Sequence, residues 1–63
     1  MDMPVSTRLR IARGDMSRED VALACEISVS ALSMYENGQR VPRDEVKVKL
    51  AKLYGKSVEE LFF

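Results

Sequence analysis

The sequence predicts an all-α fold, a compact bundle of five short helices. Three observations carry this. Apolar residues recur at helical spacing, beginning with Val5, Leu9 and Ala12 at i, i+4 and i+7. The segments are bounded by helix-starting and helix-stopping residues: Ser17, Ser28, Pro42 and Ser57 open them, and Gly14, Asn37-Gly38 and Gly55 close them. The single run that alternates like a strand, "EVKVKL" at 45–50, sits between such signals.

The first helix carries the Val5, Leu9, Ala12 face and stops at Gly14-Asp15. Ser17 is the next N-cap, with Asp20 three residues on, a weaker form of the capping box. Val21, Ala22 and Cys25 form the inward stripe of a second helix, which ends near Glu26-Ile27 because Ser28 reads as a new N-cap. The third helix runs from about Val29 to Glu36, with Leu32 and Tyr35 inward. Asn37 and Gly38 end it, since both accept a left-handed conformation. Pro42 fits the first turn of a fourth helix, where a missing N–H costs nothing. Asp44 and Glu45 suit the positive end of its dipole. Read alone, "EVKVKL" is a half-buried strand; with Pro42 before it, Gly55 after it and the stripe Val46, Leu50, Leu53, Tyr54, it reads as helix. Ser57 and Glu60 form a full capping box for a fifth helix, Val58 to Phe62.

Sixty-three residues make one domain, 1–63. A chain of this size buries only about 60% of its unfolded surface, so compact helices, oligomerisation or both must support it. Cys25 is the sole cysteine and there is no histidine, so neither an internal disulfide nor a metal site is expected, nor any cofactor. No apolar run approaches the roughly 20 residues of a membrane span, and the first ten residues do not read as a secretory signal. With a lone cysteine, the expectation is a cytoplasmic protein. Net charge is zero, yet unevenly spread. Arg8, Arg10 and Arg13 stand against Asp2 at the start; Asp15, Glu19, Asp20, Glu26 and Glu36 dominate the middle; Arg40, Arg43 and four lysines enrich the end. An anionic partner would be held from the flanks.

Two short helices joined by about three residues have the helix-turn-helix spacing. The motifs Leu9-Arg10, "MSREDVA" at 16–22, "ISVSALSMYENG" at 27–38, Pro42, "LAKLYGKS" at 50–57 and "EELF" at 59–62 follow one another in a recognisable order. In that order and spacing the chain resembles the lambda-repressor/Cro-like helix-turn-helix regulators, also called the xenobiotic-response-element family, from about Leu9 to Phe62. The resemblance implies a lambda-repressor-like bundle whose third helix enters the DNA major groove. By position, Ser28, Val29, Ser30, Ser33 and Met34 would face DNA. Ser28 and the helix N-terminus would meet a phosphate. Asn37, Gln39, Arg40 and Arg43 would add contacts on the same side, and Arg18 would bind phosphate at the start of the second helix. Arg10 and Glu36 match a family ion pair, although Arg8 or Arg13 could serve in the sequence as it stands.

The departures from the pattern are specific. Arg18 replaces a Gln, and Glu26 replaces the turn Gly, where a side chain costs roughly 1–2 kcal/mol and a carboxylate would oppose a nearby phosphate. One residue, Asp15, is extra between Arg10 and Ser17, and Leu23 occupies a position usually polar and exposed. The third helix offers no Arg or Gln on its outward face, which leaves serine hydroxyls, thymine-methyl contact by Val29 or Met34, and DNA shape.

Read without the family, that Ser/Met face is ordinary surface or a protein contact. Cys25 reads as a small core residue. Asp44-Glu45 and Glu59-Glu60 are helix-start pairs whose members do not face each other, so no catalysis is expected. Phe62 reads as core; the resemblance, in which small repressors often dimerise through the fifth helix, implies Leu61 and Phe63 as dimer contacts. The functional expectation is a DNA-binding transcriptional regulator, a repressor of the kind found in bacteria and phages. It would act as a homodimer on double-stranded, near-palindromic DNA, with no membrane or metal involved. The rival is a protein-interaction module, an adaptor or antirepressor, on the same scaffold with weak DNA affinity.

Overall fold

The computed structural model describes residues 3–63, so Asp2 in the charge balance lies outside the described residues. Five helices follow in order: α1 (Val5–Arg13), α2 (Arg18–Cys25), α3 (Val29–Glu36), α4 (Asp44–Tyr54) and α5 (Val58–Phe62). The described residues contain no strand; "EVKVKL" lies within α4, where Leu50 and Ala51 are buried.

The capping chemistry explains these bounds. Ser17, Ser28 and Ser57 each accept a backbone N–H three residues on, at 3.0 Å in every case. Glu60 returns the bond to the Ser57 amide, also at 3.0 Å, completing the capping box. The Ser57 backbone amide, and after it the Ser57 hydroxyl, hold the Glu60 carboxyl below its ordinary pKa. Pro42 departs from the sequence expectation: it is buried one residue ahead of the α4 cap, Arg43, rather than inside the first turn. Its fixed φ serves the approach to the helix instead.

Three helices end in the same backbone motif. The amides of Ile27, Gln39 and Lys56 bond back to the carbonyls of Ala22, Met34 and Ala51 at 2.9 Å. Such an ending needs one residue at positive φ. Gly38 (φ 75°) and Gly55 (φ 67°) supply it for α3 and α4. Asn37 stays right-handed at φ −99°, so only Gly38 of the Asn-Gly pair turns left. For α2 the residue is Glu26, at φ 58° and ψ 41°.

Each helix packs chiefly on two others, and the contacts close a ring: α1 on α3, α3 on α2, α2 on α4, α4 on α5, and α5 on α1. The ring encloses Leu9, Val21, Cys25, Leu32, Tyr35, Leu50, Ala51, Leu61 and Phe62. Burial raises the pKa of the Cys25 thiol, as expected of a packing residue. Leu61 is 1% exposed and belongs to this core, which corrects its assignment as a dimer contact. It sits where the short α5 must close the bundle, so its side chain has no surface to offer. Phe63, 78% exposed, remains outside.

Candidate nucleic-acid interface

The turn and α3 are built by the cap at Ser28 and by the positive φ of Glu26, which redirects the chain sharply after α2. α3 is then about 12 Å long, and a helix with its side chains is about 10–12 Å across, which fits a major groove about 12 Å wide. Leu32, Tyr35 and Glu36 are buried on its inner side. Ser28, Val29, Ser30 and Asn37 are exposed on the outer side, and Ser33 and Met34 are half-buried between the two. Ser30, Ser33, Met34 and Asn37 therefore share one face at i, i+3, i+4 and i+7. That face carries no charge.

Ser28 spends a lone pair on the Ala31 amide at 3.0 Å. Its hydroxyl proton and the amides of Val29 and Ser30, which no intrahelical carbonyl can satisfy, point out of the helix start. After α3 the chain passes through exposed Asn37, Gln39, Arg40, Val41 and Arg43, with Pro42 buried between them. Arg40 and Arg43 line one shallow depression with Tyr35, Val41 and Val46. Among the described residues neither arginine forms an ion pair, so both charges face solvent uncompensated. The chain leaving the C-terminal end of α3 thus carries two cations that have no ion-pair partner among the described residues.

The ion pair at the rear of α3 differs from the expected one. Glu36 is fully buried and is held by Arg13, not Arg10. Arg13 donates from Nε to Oε2 at 2.7 Å and from a terminal amine to Oε1 at 3.2 Å. Those bonds raise the Arg13 pKa further above its ordinary value. The physical reason is helical phase. Arg13 lies four residues after buried Leu9 and so shares its inward face, whereas exposed Arg10 is turned away and reaches only Thr7. Arg18 is the second guanidinium on Glu36, with Nε 3.1 Å from Oε1. It lies at the first position of α2 and keeps 40% of its side chain exposed.

Lys49 is a residue that sequence reasoning missed. Its ammonium donates to the Glu26 carboxylate at 2.8 Å, from α4 across to the turn. The bond lowers the Glu26 pKa and raises that of Lys49. The carboxylate expected to repel a phosphate is therefore held against a cation. No local spacing signals this pair, because the partners are 23 residues apart.

Adjoining the depression at Arg40 and Arg43, with Tyr35, Arg40 and Val41 common to both, Phe63 lines a groove with Pro4, Val5, Lys47 and Phe62. The Lys47 ammonium lies 5.2 Å from the Phe63 ring centre and 5.6 Å from that of Phe62. Val41 is 76% exposed, so this groove has an apolar rim. Among the described residues no helix is long and apolar enough to cross a membrane.

A family model described as helix-turn-helix matches residues 8–61. No curated protein and no solved structure matches the chain.

Proposed function

This chain belongs to the lambda-repressor/Cro-like helix-turn-helix family of DNA-binding regulators, and on that premise we propose that it represses transcription by occupying an operator. α3 lies in the major groove, with Val29, Ser30, Ser33 and Met34 toward base edges. Arg18, Ser28, Asn37, Gln39, Arg40 and Arg43 contact the backbone. Two copies bind near-palindromic half-sites about 34 Å apart. The dimer contact runs through Phe63 and the exposed rim beside it. The observation that supports this reading above others is the uncharged outer face of α3 followed in the chain by exposed Arg40 and Arg43, neither of which has an ion-pair partner among the described residues.

With no Arg or Gln on that face, discrimination comes from serine hydroxyls, apolar contact with thymine methyls, and DNA deformability. Affinity comes mainly from phosphates. Three arginines per copy give six cations per dimer, so log K against log salt has a slope of about −5. Retention on duplex DNA at low salt, lost as salt rises and lost in the Arg40→Ala/Arg43→Ala double variant, tests the assignment. Sedimentation of the wild type and of Phe63→Ala tests the dimer.

One observation favours the rival protein-interaction reading: Leu23 is 81% exposed on α2, beside the exposed acids Glu19 and Asp20. A chain that ignores duplex DNA at low salt yet captures a protein partner is an interaction module.

A further inference from the structure

Glu36 is the one fully buried charged side chain among the described residues, and it meets two guanidiniums. Arg13 commits all three of its guanidinium nitrogens. Its Nε and one terminal amine go to Glu36, and its other terminal amine donates to the Met16 carbonyl at 2.8 Å. Arg18 commits only its Nε–H, at 3.1 Å. Its side chain is 40% exposed, against 18% for Arg13. Two cations against one carboxylate leave a surplus positive charge, and it emerges at the open end of Arg18.

A guanidinium is planar and rigid, so fixing its Nε edge fixes the direction of its terminal amines. The carboxylate that does so is on the last residue of α3, and Arg18 is the first residue of α2. The first turn of α2 already carries the exposed acids Glu19 and Asp20, which occupy the positive end of its dipole, so the anion site is the guanidinium itself. We propose that Glu36 is a positioning residue for nucleic-acid binding: it docks the inner edge of Arg18 and presents the outer amines as a preformed clamp for a DNA phosphate. This rests on the DNA-binding reading above. Ordering Arg18 before DNA arrives removes a rotamer cost from binding, and it couples the phosphate contact to the seating of α3.

The test is binding of the full chain to a random-sequence duplex pool, by fluorescence anisotropy across a salt series, with melting curves as the check on folding. A lysine at position 18 keeps the charge but has no rigid fork whose docked inner edge would aim its remaining donors at a phosphate. Arg18→Lys therefore weakens binding by about tenfold, the worth of one charge-assisted contact. Glu36→Gln removes a negative charge, so simple electrostatics predicts tighter binding; positioning predicts binding no tighter, with a shallower salt slope. Wild-type affinity in Arg18→Lys, or tighter binding in Glu36→Gln, overturns the proposal and leaves the DNA-binding reading standing. A wild type that ignores the duplex pool overturns both. Should Glu36→Gln fail to fold, Arg18→Lys decides together with proton exchange at the Arg18 Nε–H of the free wild type. Exchange slower than at exposed Arg10 supports docking, and equal exchange overturns it.

Discussion

Removing Arg13 should cripple the fold, and removing Arg10 should hardly touch it. Both are arginines of α1, three residues apart, and only the first reaches the buried Glu36 carboxylate. Breaking a buried pair from one side costs about 3–5 kcal/mol. The lower end, about 3 kcal/mol, applies to Arg13→Ala because Arg18 still holds one carboxylate oxygen. A domain of this length has a total stability of only about 3–9 kcal/mol. Its unfolding entropy near the midpoint is about 0.13 kcal/mol/K, so the loss lowers the melting temperature by about 20 °C. Arg10→Ala, an exposed change, stays within about 0.5 kcal/mol, or roughly 4 °C. Thermal unfolding followed by far-ultraviolet circular dichroism measures both. Equal losses in the two variants, or the larger loss in Arg10→Ala, would refute the pairing and the helical-phase argument behind it.

Glu26→Gly should raise the melting temperature. It relieves a side chain from φ 58°, ψ 41° and gives up only the solvent-exposed bond to Lys49; a lower midpoint would show that the turn has another shape. Tyr54 offers a second test. Its hydroxyl is buried without a hydrogen-bond partner among the described residues. Desolvation, then the charge of Glu36, pushes its pKa up to about 12. In the unfolded chain it titrates near 10, so there it loses its proton first. This contribution to stability is intact below about pH 10 and is lost as pH rises toward 12. Tyr54→Phe should match or exceed the wild type at neutral pH and flatten that alkaline decline; a markedly lower midpoint would show that the hydroxyl has a partner.

What the sequence disclosed, and what it withheld, divides along the range of the interactions. Ser17, Ser28, Ser57, Gly38 and Gly55 act within three to five residues, and they place the helix ends where reading them in order puts them. Resemblance to the family pattern, which has Gly there, marked Glu26 as the non-glycine residue at the left-handed position. The Asn37-Gly38 pair was half-legible: two residues could turn left, and backbone hydrogen bonding chose Gly38. Motif order pointed to Arg10 as the partner of Glu36 and left Arg8 and Arg13 open; the four-residue step from Leu9 to Arg13 is what singles out Arg13. Lys49 on Glu26 and the second guanidinium on Glu36 join elements 18 to 23 residues apart, and no short pattern encodes them. Leu61 was expected at a dimer contact from the family's use of its fifth helix, yet the ring of helix contacts closes over it.

The central claim is that the outer face of α3, with the arginines that follow it in the chain, meets DNA. Backbone amide chemical-shift mapping of the isotope-labelled chain, titrated with duplex DNA at low salt, tests it directly. The account predicts shifts concentrated at Arg18, at 28–34 and at 37–43, reversed by added salt. Shifts confined to the α1–α5 side around Ile11, or none at all, would contradict it.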